Sequence, residues 1–280
     1  MLSARIPLLR IAIAWSCLAA SFVICDQFPE TAFHALPSSV SLAIGSAVWS
    51  CALAIAIYLL RRVSHVHPRS IAGGAIVVFA VAAAVMYGDA PLAIDGATRA
   101  MAGILIGALM ALLVDQLFFL VPAALLAAAV DVWSVFAERG VTHKLYASTI
   151  ASSTAPDSSS AAATNAVAHT VQTTSAHGAN VADIIAIPIP LIGGQAPVTL
   201  GFVDIAFATC FVVMACSFRV HSGRTAIAVA VGISATIGLA SLNGGLPALP
   251  LIGILAIAAN APLLLRDRRY VMHRLRRQVE

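Results

Sequence analysis

The sequence predicts an all-α fold, a polytopic bundle of about eight transmembrane helices. Hydrophobic residues make up 60% of the 280 positions and charged residues only 10%, whereas about 25% of residues are charged in ordinary soluble domains. A soluble core of this size has no room for so much apolar surface, so the lipid bilayer is the solvent for most of the chain. Apolar windows long enough to cross a bilayer as helices recur along the sequence.

Eight such windows divide the chain. They lie near residues 6–25, 38–60, 70–88, 100–116, 117–137, 199–219, 223–242 and 247–265. At the amino terminus Arg5 and Arg10 are followed by an apolar stretch, but no small-residue cleavage site leads into a soluble region, so we interpret the first window as a span and not as a signal peptide. Gly103 and Gly107 form a GxxxG pair in the fourth window, a pattern that lets two helices approach closely.

The windows group into four regions. These are a five-span scaffold at 1–137, a long loop rich in Ser, Thr and Ala at 138–198, a three-span bundle at 199–266 and a basic tail at 267–280. Residues 148–178 contain almost no large apolar side chains, so this part of the loop is predicted to be disordered. The apolar stretch 184–192 is short and broken by two prolines, which favours a strand or a re-entrant segment over a ninth span.

The basic residues predict the orientation of the chain. Of the 16 Lys and Arg residues, thirteen fall on the side of the amino terminus, and only Arg99, Arg139 and Lys144 fall on the other side. Because cytoplasmic loops carry the excess of basic residues, both termini are predicted to be cytoplasmic and the long loop external. The strong preference for Arg over Lys, with abundant Ala, suggests a bacterial genome of high GC content. For a multi-span helical protein of a bacterium, the expected location is the inner membrane. The net charge of +4 follows from this topology and does not indicate nucleic-acid binding.

Two aspartates lie inside the predicted spans. Asp131 comes shortly before the fifth span ends, and Asp204 shortly after the sixth begins. With a rise of about 1.5 Å per residue, both carboxylates are expected roughly 8–9 Å below the external surface. Ionisable residues at such depth are costly and are candidates for function. Two carboxylates that meet in a low-dielectric site share a proton, and aspartic proteases use that arrangement to activate water and polarise a carbonyl.

The last span begins with an irregular segment at the same depth. Its sequence, Leu246-Pro247-Ala248-Leu249-Pro250, contains two prolines that remove backbone donors and disturb the start of a helix. Irregular backbone at membrane depth is tolerated where it is buried in protein or lines a wet cavity. Such a segment is suited to pairing with an extended peptide.

These three segments together resemble the presenilin and signal peptide peptidase family of intramembrane aspartyl proteases. Pro247-Ala248-Leu249 matches the family's PAL motif, Gly201-Phe202-Val203-Asp204 is similar to its GxGD segment, and Ala129–Val135 is similar to the segment around its first aspartate. The order of the segments also agrees, with the long loop between the two aspartates. The resemblance covers residues 100–266 and departs from the family at Val203 and Val130, where the family has glycine and tyrosine.

The resemblance implies a function and a site. Asp131 and Asp204 would form the catalytic dyad, Gly201 would allow close backbone approach, and Pro247, Ala248 and Leu249 would line the substrate cleft. No metal and no cofactor would be needed. The partners would be the lipid bilayer and a transmembrane peptide or protein substrate. With the predicted orientation, substrates would have a single span and a cytoplasmic amino terminus, as leftover signal peptides do.

Other functions remain open. In a transporter or channel, the two aspartates would carry protons or cations, although no internal repeat typical of transporters is found in the sequence. A family member that binds membrane helices without cutting them is the second alternative, and Val203 favours it. A structural pair of polar residues is the third. Sequence motifs of nucleotide-binding proteins, serine hydrolases and zinc proteases are absent.

Overall fold

The computed structural model describes most of the helical part of the chain. The described residues are 2–27, 38–61, 73–74, 76–78, 80–81, 84, 91–114, 119–136, 186–189, 198–218, 221–243 and 247–279. The segment 148–178, for which the sequence predicts disorder, lies outside this range. So does most of the third apolar window, although the described residues between 73 and 84 are helical.

Seven longer helices and one hairpin make up the described fold. In chain order these are α1 (Leu2–Gln27), α2 (Ser38–Leu60), α3 (Leu92–Leu112), α4 (Leu120–Phe136), β1 (Ala186–Ile189), β2 (Val198–Gly201), α5 (Phe202–Ser217), α6 (Ser222–Asn243) and α7 (Leu249–Val279). The predicted all-helical architecture is confirmed. The stretch 184–192, predicted to be a strand or a re-entrant piece, contains strand β1.

Three of the described helices are long and apolar enough to cross a membrane by themselves. They contain the segments Leu42–Leu60, Ala93–Leu112 and Ser222–Ala240. Four shorter apolar helical segments accompany them at Leu9–Cys25, Leu120–Phe136, Phe202–Ser217 and Leu249–Leu265. The chain therefore has the character of a membrane protein.

Helix α3 begins earlier than the sequence predicts. It starts at Leu92, whereas the apolar window started near residue 100, so Asp95 and Arg99 belong to the helix and not to an external loop. The window missed them because two charges lower its mean hydropathy. In the structure the two charges compensate each other, since both nitrogen–oxygen distances between the Arg99 guanidinium and the Asp95 carboxylate are 2.6 Å. The pair is mostly buried, with side chains 13% and 16% exposed.

Helices α3 and α5 pack closely through the GxxxG pair. A β-carbon at Gly103 would lie 3.1 Å from Cγ2 of Ile205. A β-carbon at Gly107 would overlap the carbonyl oxygen of Ala206 and lie 2.7 Å from Cβ of Thr209. The contacts move along both helices in the same direction, so α3 and α5 run parallel. The two glycines thus set how closely the helix that carries Asp204 approaches the scaffold.

Helix α7 packs between α4 and α6. A β-carbon at Gly253 of α7 would lie 3.3 Å from Cβ of Ala124 in α4. A β-carbon at Gly232 of α6 would lie 3.1 Å from Cα of Ile252 in α7. These small residues let the three backbones come close together. The first turn of α7 thereby reaches the part of α4 that carries Asp131.

Strands β1 and β2 form an antiparallel hairpin that leads directly into α5. Ala186 pairs with Gly201 and Ile189 with Val198. Ile187 and Ile189 are fully buried, and β1 contacts α3. The hairpin therefore fixes the position of Gly201, the last residue before α5.

We expect Gly107→Ala to destabilise the protein by about 1–3 kcal/mol, because the added methyl group overlaps the backbone of α5. Unfolding in detergent, followed by circular dichroism, measures the change. Gly238→Ala is the matched control, since no atom lies within 4 Å of the position of its new β-carbon. Equal stability of the two variants would contradict the close packing of α3 and α5.

Candidate functional site

Asp131 lies on α4 and accepts a hydrogen bond from the start of α7. Its Oδ2 atom is 2.9 Å from the backbone nitrogen of Leu249, 118 residues further along the chain. The backbone of Ala248 also hydrogen-bonds to this carboxylate. The first N–H groups of any helix lack partners within the helix. Asp131 supplies this partner from a different helix, and a negative charge is favoured at this end of the helix dipole.

The PAL segment, which the resemblance predicts to line the substrate cleft, is largely buried. Ala248 and Leu249 are buried, each 4% exposed, and Pro247 is partly buried. The sequence predicts irregular backbone with unpaired groups here, but the Leu249 N–H is already paired with Asp131. Pro250 is the second residue of α7, a position where proline does not break a helical hydrogen bond. The segment thus closes over Asp131.

Asp204 lies in the first turn of α5. Its Oδ2 atom accepts a hydrogen bond of 3.1 Å from the backbone nitrogen of Gly201, the residue that caps this helix. This is the returning half of a capping box, since glycine has no side chain to supply the other half. Gly201 has φ −67° and ψ 136°, which any residue can adopt. A β-carbon at this position would lie 2.7 Å from the Asp204 carboxylate oxygen, so a larger residue would require the carboxylate to shift.

The structure brings Asp131 together with the start of α7, through the bond from Leu249. Asp204 lies in the first turn of α5, and both aspartates are partly buried. Asp131 thereby joins two segments that are far apart in the sequence. Each aspartate faces the amino-terminal end of a helix. Backbone N–H groups favour the charged form of each carboxylate, while mutual repulsion disfavours two charges together.

The residues that depart from the family pattern point away from this site. Val203 and Val130 precede the two aspartates and are 48% and 56% exposed. Trp133, two residues after Asp131, is 57% exposed. On the apolar surface of a membrane protein such positions face lipid or an incoming helix. The valine side chain at 203 therefore does not fill the space between the aspartates.

The outer edge of β2 offers backbone hydrogen-bonding groups next to Asp204. The N–H of Gly201 bonds to Asp204, so the Ala186–Gly201 pair does not exchange hydrogen bonds across the hairpin. Pairs alternate in an antiparallel ladder, so the Pro188–Thr199 pair is also of the non-bonded kind. Proline has no N–H to donate at the outer edge of β1. The alternation therefore implies that Thr199 directs its N–H and its C=O outwards, and among the described residues no strand pairs with this edge.

The sequence interpretation missed one charged pair near the site. Asp95, Arg99, Gly103 and Gly107 are spaced by four residues, so they share one face of α3. Because Gly103 packs on Ile205 in the first turn of α5, this face carries Arg99 towards the hairpin end of the site. The sequence did contain a signal for this pair, because Asp95 and Arg99 continue the four-residue spacing of Gly103 and Gly107 towards the amino terminus. A hydrogen bond of 3.2 Å from Trp15 Nε1 to Thr98 Oγ1 attaches this turn to α1.

The contacts described above place two carboxylates and backbone N–H groups at the site. Among the residues that the structure describes, no three His, Cys, Asp or Glu side chains come together in a way that would hold a metal ion. No protein-family model, curated protein or solved structure matches the chain.

Two replacements of Asp131 distinguish the contribution of its hydrogen bond to stability from the contribution of its charge. We expect Asp131→Ala to lose about 1–3 kcal/mol of stability, because the buried Leu249 N–H loses its acceptor. Asp131→Asn keeps an acceptor oxygen in the same place and should unfold close to the wild type. Thermal unfolding of the two purified variants makes the comparison. If both variants were as stable as the wild type, the bond to Leu249 would contribute nothing.

Proposed function

We propose that this protein is an intramembrane aspartyl protease of the presenilin and signal peptide peptidase type. The observation that carries the proposal is the hydrogen bond from the Leu249 N–H to Asp131. It joins two of the three segments on which the sequence resemblance rests. Asp131 and Leu249 are 118 residues apart and on different helices, so their contact supports a shared site.

The proposal includes the membrane topology. About eight spans would cross the inner membrane of a bacterium, with both termini in the cytoplasm and the segment 138–198 outside. Pairs of neighbouring helices support the alternation, because α7 runs antiparallel to both α4 and α6. The antiparallel directions follow from the paired contacts Ala124–Gly253 and Asp131–Leu249, and Gly232–Ile252 and Thr225–Asn260.

The chemistry would be hydrolysis of a peptide bond by water, with no metal and no cofactor. The two carboxylates would share one proton. The ionised carboxylate takes a proton from water as the water oxygen attacks the carbonyl carbon, and the protonated carboxyl donates its proton to the carbonyl oxygen. Collapse of the tetrahedral intermediate then breaks the C–N bond, and the leaving nitrogen takes a proton from the dyad. A coupled pair titrates as a unit, so neither aspartate is assigned as the initial base.

The substrate would be the membrane segment of a single-span protein or a leftover signal peptide. A helical substrate hides its peptide bonds in its own hydrogen bonds, so the segment must become extended before cleavage. The outer edge of β2 is suited to pairing with such an extended segment. It would hold the substrate at Thr199, five residues before Asp204 and on the strand that runs directly into α5.

The dyad predicts cleavage that depends on both carboxylates. A single-span reporter with a cytoplasmic amino terminus, incubated in membranes with the protein, should be cut by the wild type. Asp131→Asn and Asp204→Asn should abolish the product, because each removes an acid–base group and keeps a side chain of the same shape. Val203→Gly should leave cleavage within a fewfold of the wild type, because Val203 is exposed.

The outcomes of this experiment separate the alternatives. Product from Val203→Gly alone would indicate an inactive relative whose dyad is intact. Absence of product from every variant, with the protein folded and the reporter inserted, would contradict the proposal. Aspartate-dependent proton or cation flux into vesicles would then indicate a transporter.

The edge of β2 makes a second prediction. Thr199→Pro removes the outward N–H and leaves the inward bonds of the hairpin in place, so cleavage should fall about tenfold through the loss of a substrate hydrogen bond. Thr199→Val changes the side chain, keeps the N–H and serves as the control. Equal activity of these two variants, measured with the same reporter, would argue that substrate does not pair with β2.

A further inference from the structure

Helix α7 contains a buried polar residue with no part in the proposed chemistry. Asn260 is fully buried and lies eleven residues after Leu249, in the apolar half of the helix. Its Nδ2 atom donates to Thr225 Oγ1 in α6 at 2.9 Å and to the carbonyl of Ala256 in its own helix at 2.8 Å. Thr225 is also fully buried, and its hydroxyl lies 3.4 Å from Asn260 Oδ1 and 3.2 Å from the carbonyl of His221.

Apart from the bond of Leu249 to Asp131 and the bonds of Asn260, the contacts of α7 described above are between small apolar groups. Gly253 packs on Ala124, and Gly232 packs on Ile252. Contacts between small apolar groups are close but non-directional, so they tolerate sliding along the helix axis. A buried asparagine behaves differently, because its hydrogen bonds are satisfied in only one register. The Asn260–Thr225 pair supplies the directional interaction between α6 and α7.

Pro262 makes this interaction more important. Proline inside a helix donates no hydrogen bond, so the carbonyl of Ala258, four residues earlier, lacks its normal partner. The helix is weakened at this point, directly after Asn260. The Asn260–Thr225 pair lies before Pro262. It therefore positions the part of α7 that includes Leu249, which bonds to Asp131.

We infer that Asn260 is a positioning residue which, through Thr225, sets the axial register of α7 and so places the PAL segment against Asp131. A slip of one helical turn moves the amino-terminal end of α7 by about 5.4 Å, far more than the bond from Leu249 to Asp131 can follow. The effect of Asn260 on cleavage rests on the proposed function. Its effect on the register of α7 does not.

The test compares isosteric changes in the pair. Thr225→Val removes the hydroxyl and keeps the shape, Thr225→Ser keeps the hydroxyl, and Asn260→Leu removes both polar groups of the amide. Spin labels on cysteines introduced at Phe136 of α4 and Ile254 of α7, both highly exposed, report the axial position of α7. The five native cysteines are replaced by alanine in this background.

We expect Thr225→Val and Asn260→Leu to shift or broaden the distance between the two labels by several ångströms, and Thr225→Ser to leave it unchanged. In the reporter assay kcat should fall about threefold to fifteenfold with KM nearly constant, because the change acts at the dyad. The double variant should be no worse than either single variant, since both break the same interaction.

Unchanged label distances in both Thr225→Val and Asn260→Leu would overturn the inference. A shifted distance with unchanged kcat would overturn the link to cleavage. If the wild type cut no reporter at all, the proposed function would fail, and the label distances would still decide whether the pair sets the register.

Discussion

The hydrogen bond from the Leu249 N–H to Asp131 holds the candidate site together. It joins α4 to the first turn of α7, across 118 residues of sequence. A carboxylate at membrane depth is costly without partners, and an unpaired helix terminus is costly too. The bond gives the Asp131 carboxylate a donor and the N–H group of Leu249 an acceptor. The aspartate and the PAL segment are therefore positioned together, and α6 supports them from behind α7.

The same principle operates at the second aspartate. Asp204 accepts the N–H of Gly201 at the start of α5, so both carboxylates lie at the amino-terminal ends of helices. Helix α5 in turn depends on the two glycines of α3, which allow its backbone to approach. Close packing of small residues brings the two helix ends to one place. Polar contacts to backbone groups then fix the orientation of each carboxylate.

This arrangement creates opposing demands on the aspartates. As helix caps they are most useful when charged, whereas two charges near each other repel. Under the proposed function, a shared proton would reconcile these demands and would also serve acid–base hydrolysis. In the described structure one oxygen of Asp131 is bonded to the chain's own backbone at Leu249. A substrate of the proposed protease would then have to compete for that carboxylate.

The sequence by itself determined the membrane character, the helical fold, the strand near Pro188 and the two aspartates as candidates, because these follow from local composition and spacing. It misjudged the start of α3, since the mean hydropathy of a window cannot register that Asp95 and Arg99 neutralise each other. Only the tertiary structure decided that Leu249 pairs with Asp131, that a β-carbon at Gly201 would displace the Asp204 carboxylate, and that Val203 is exposed. These facts depend on contacts between residues that are distant in the sequence. A sequence pattern does not show such contacts directly.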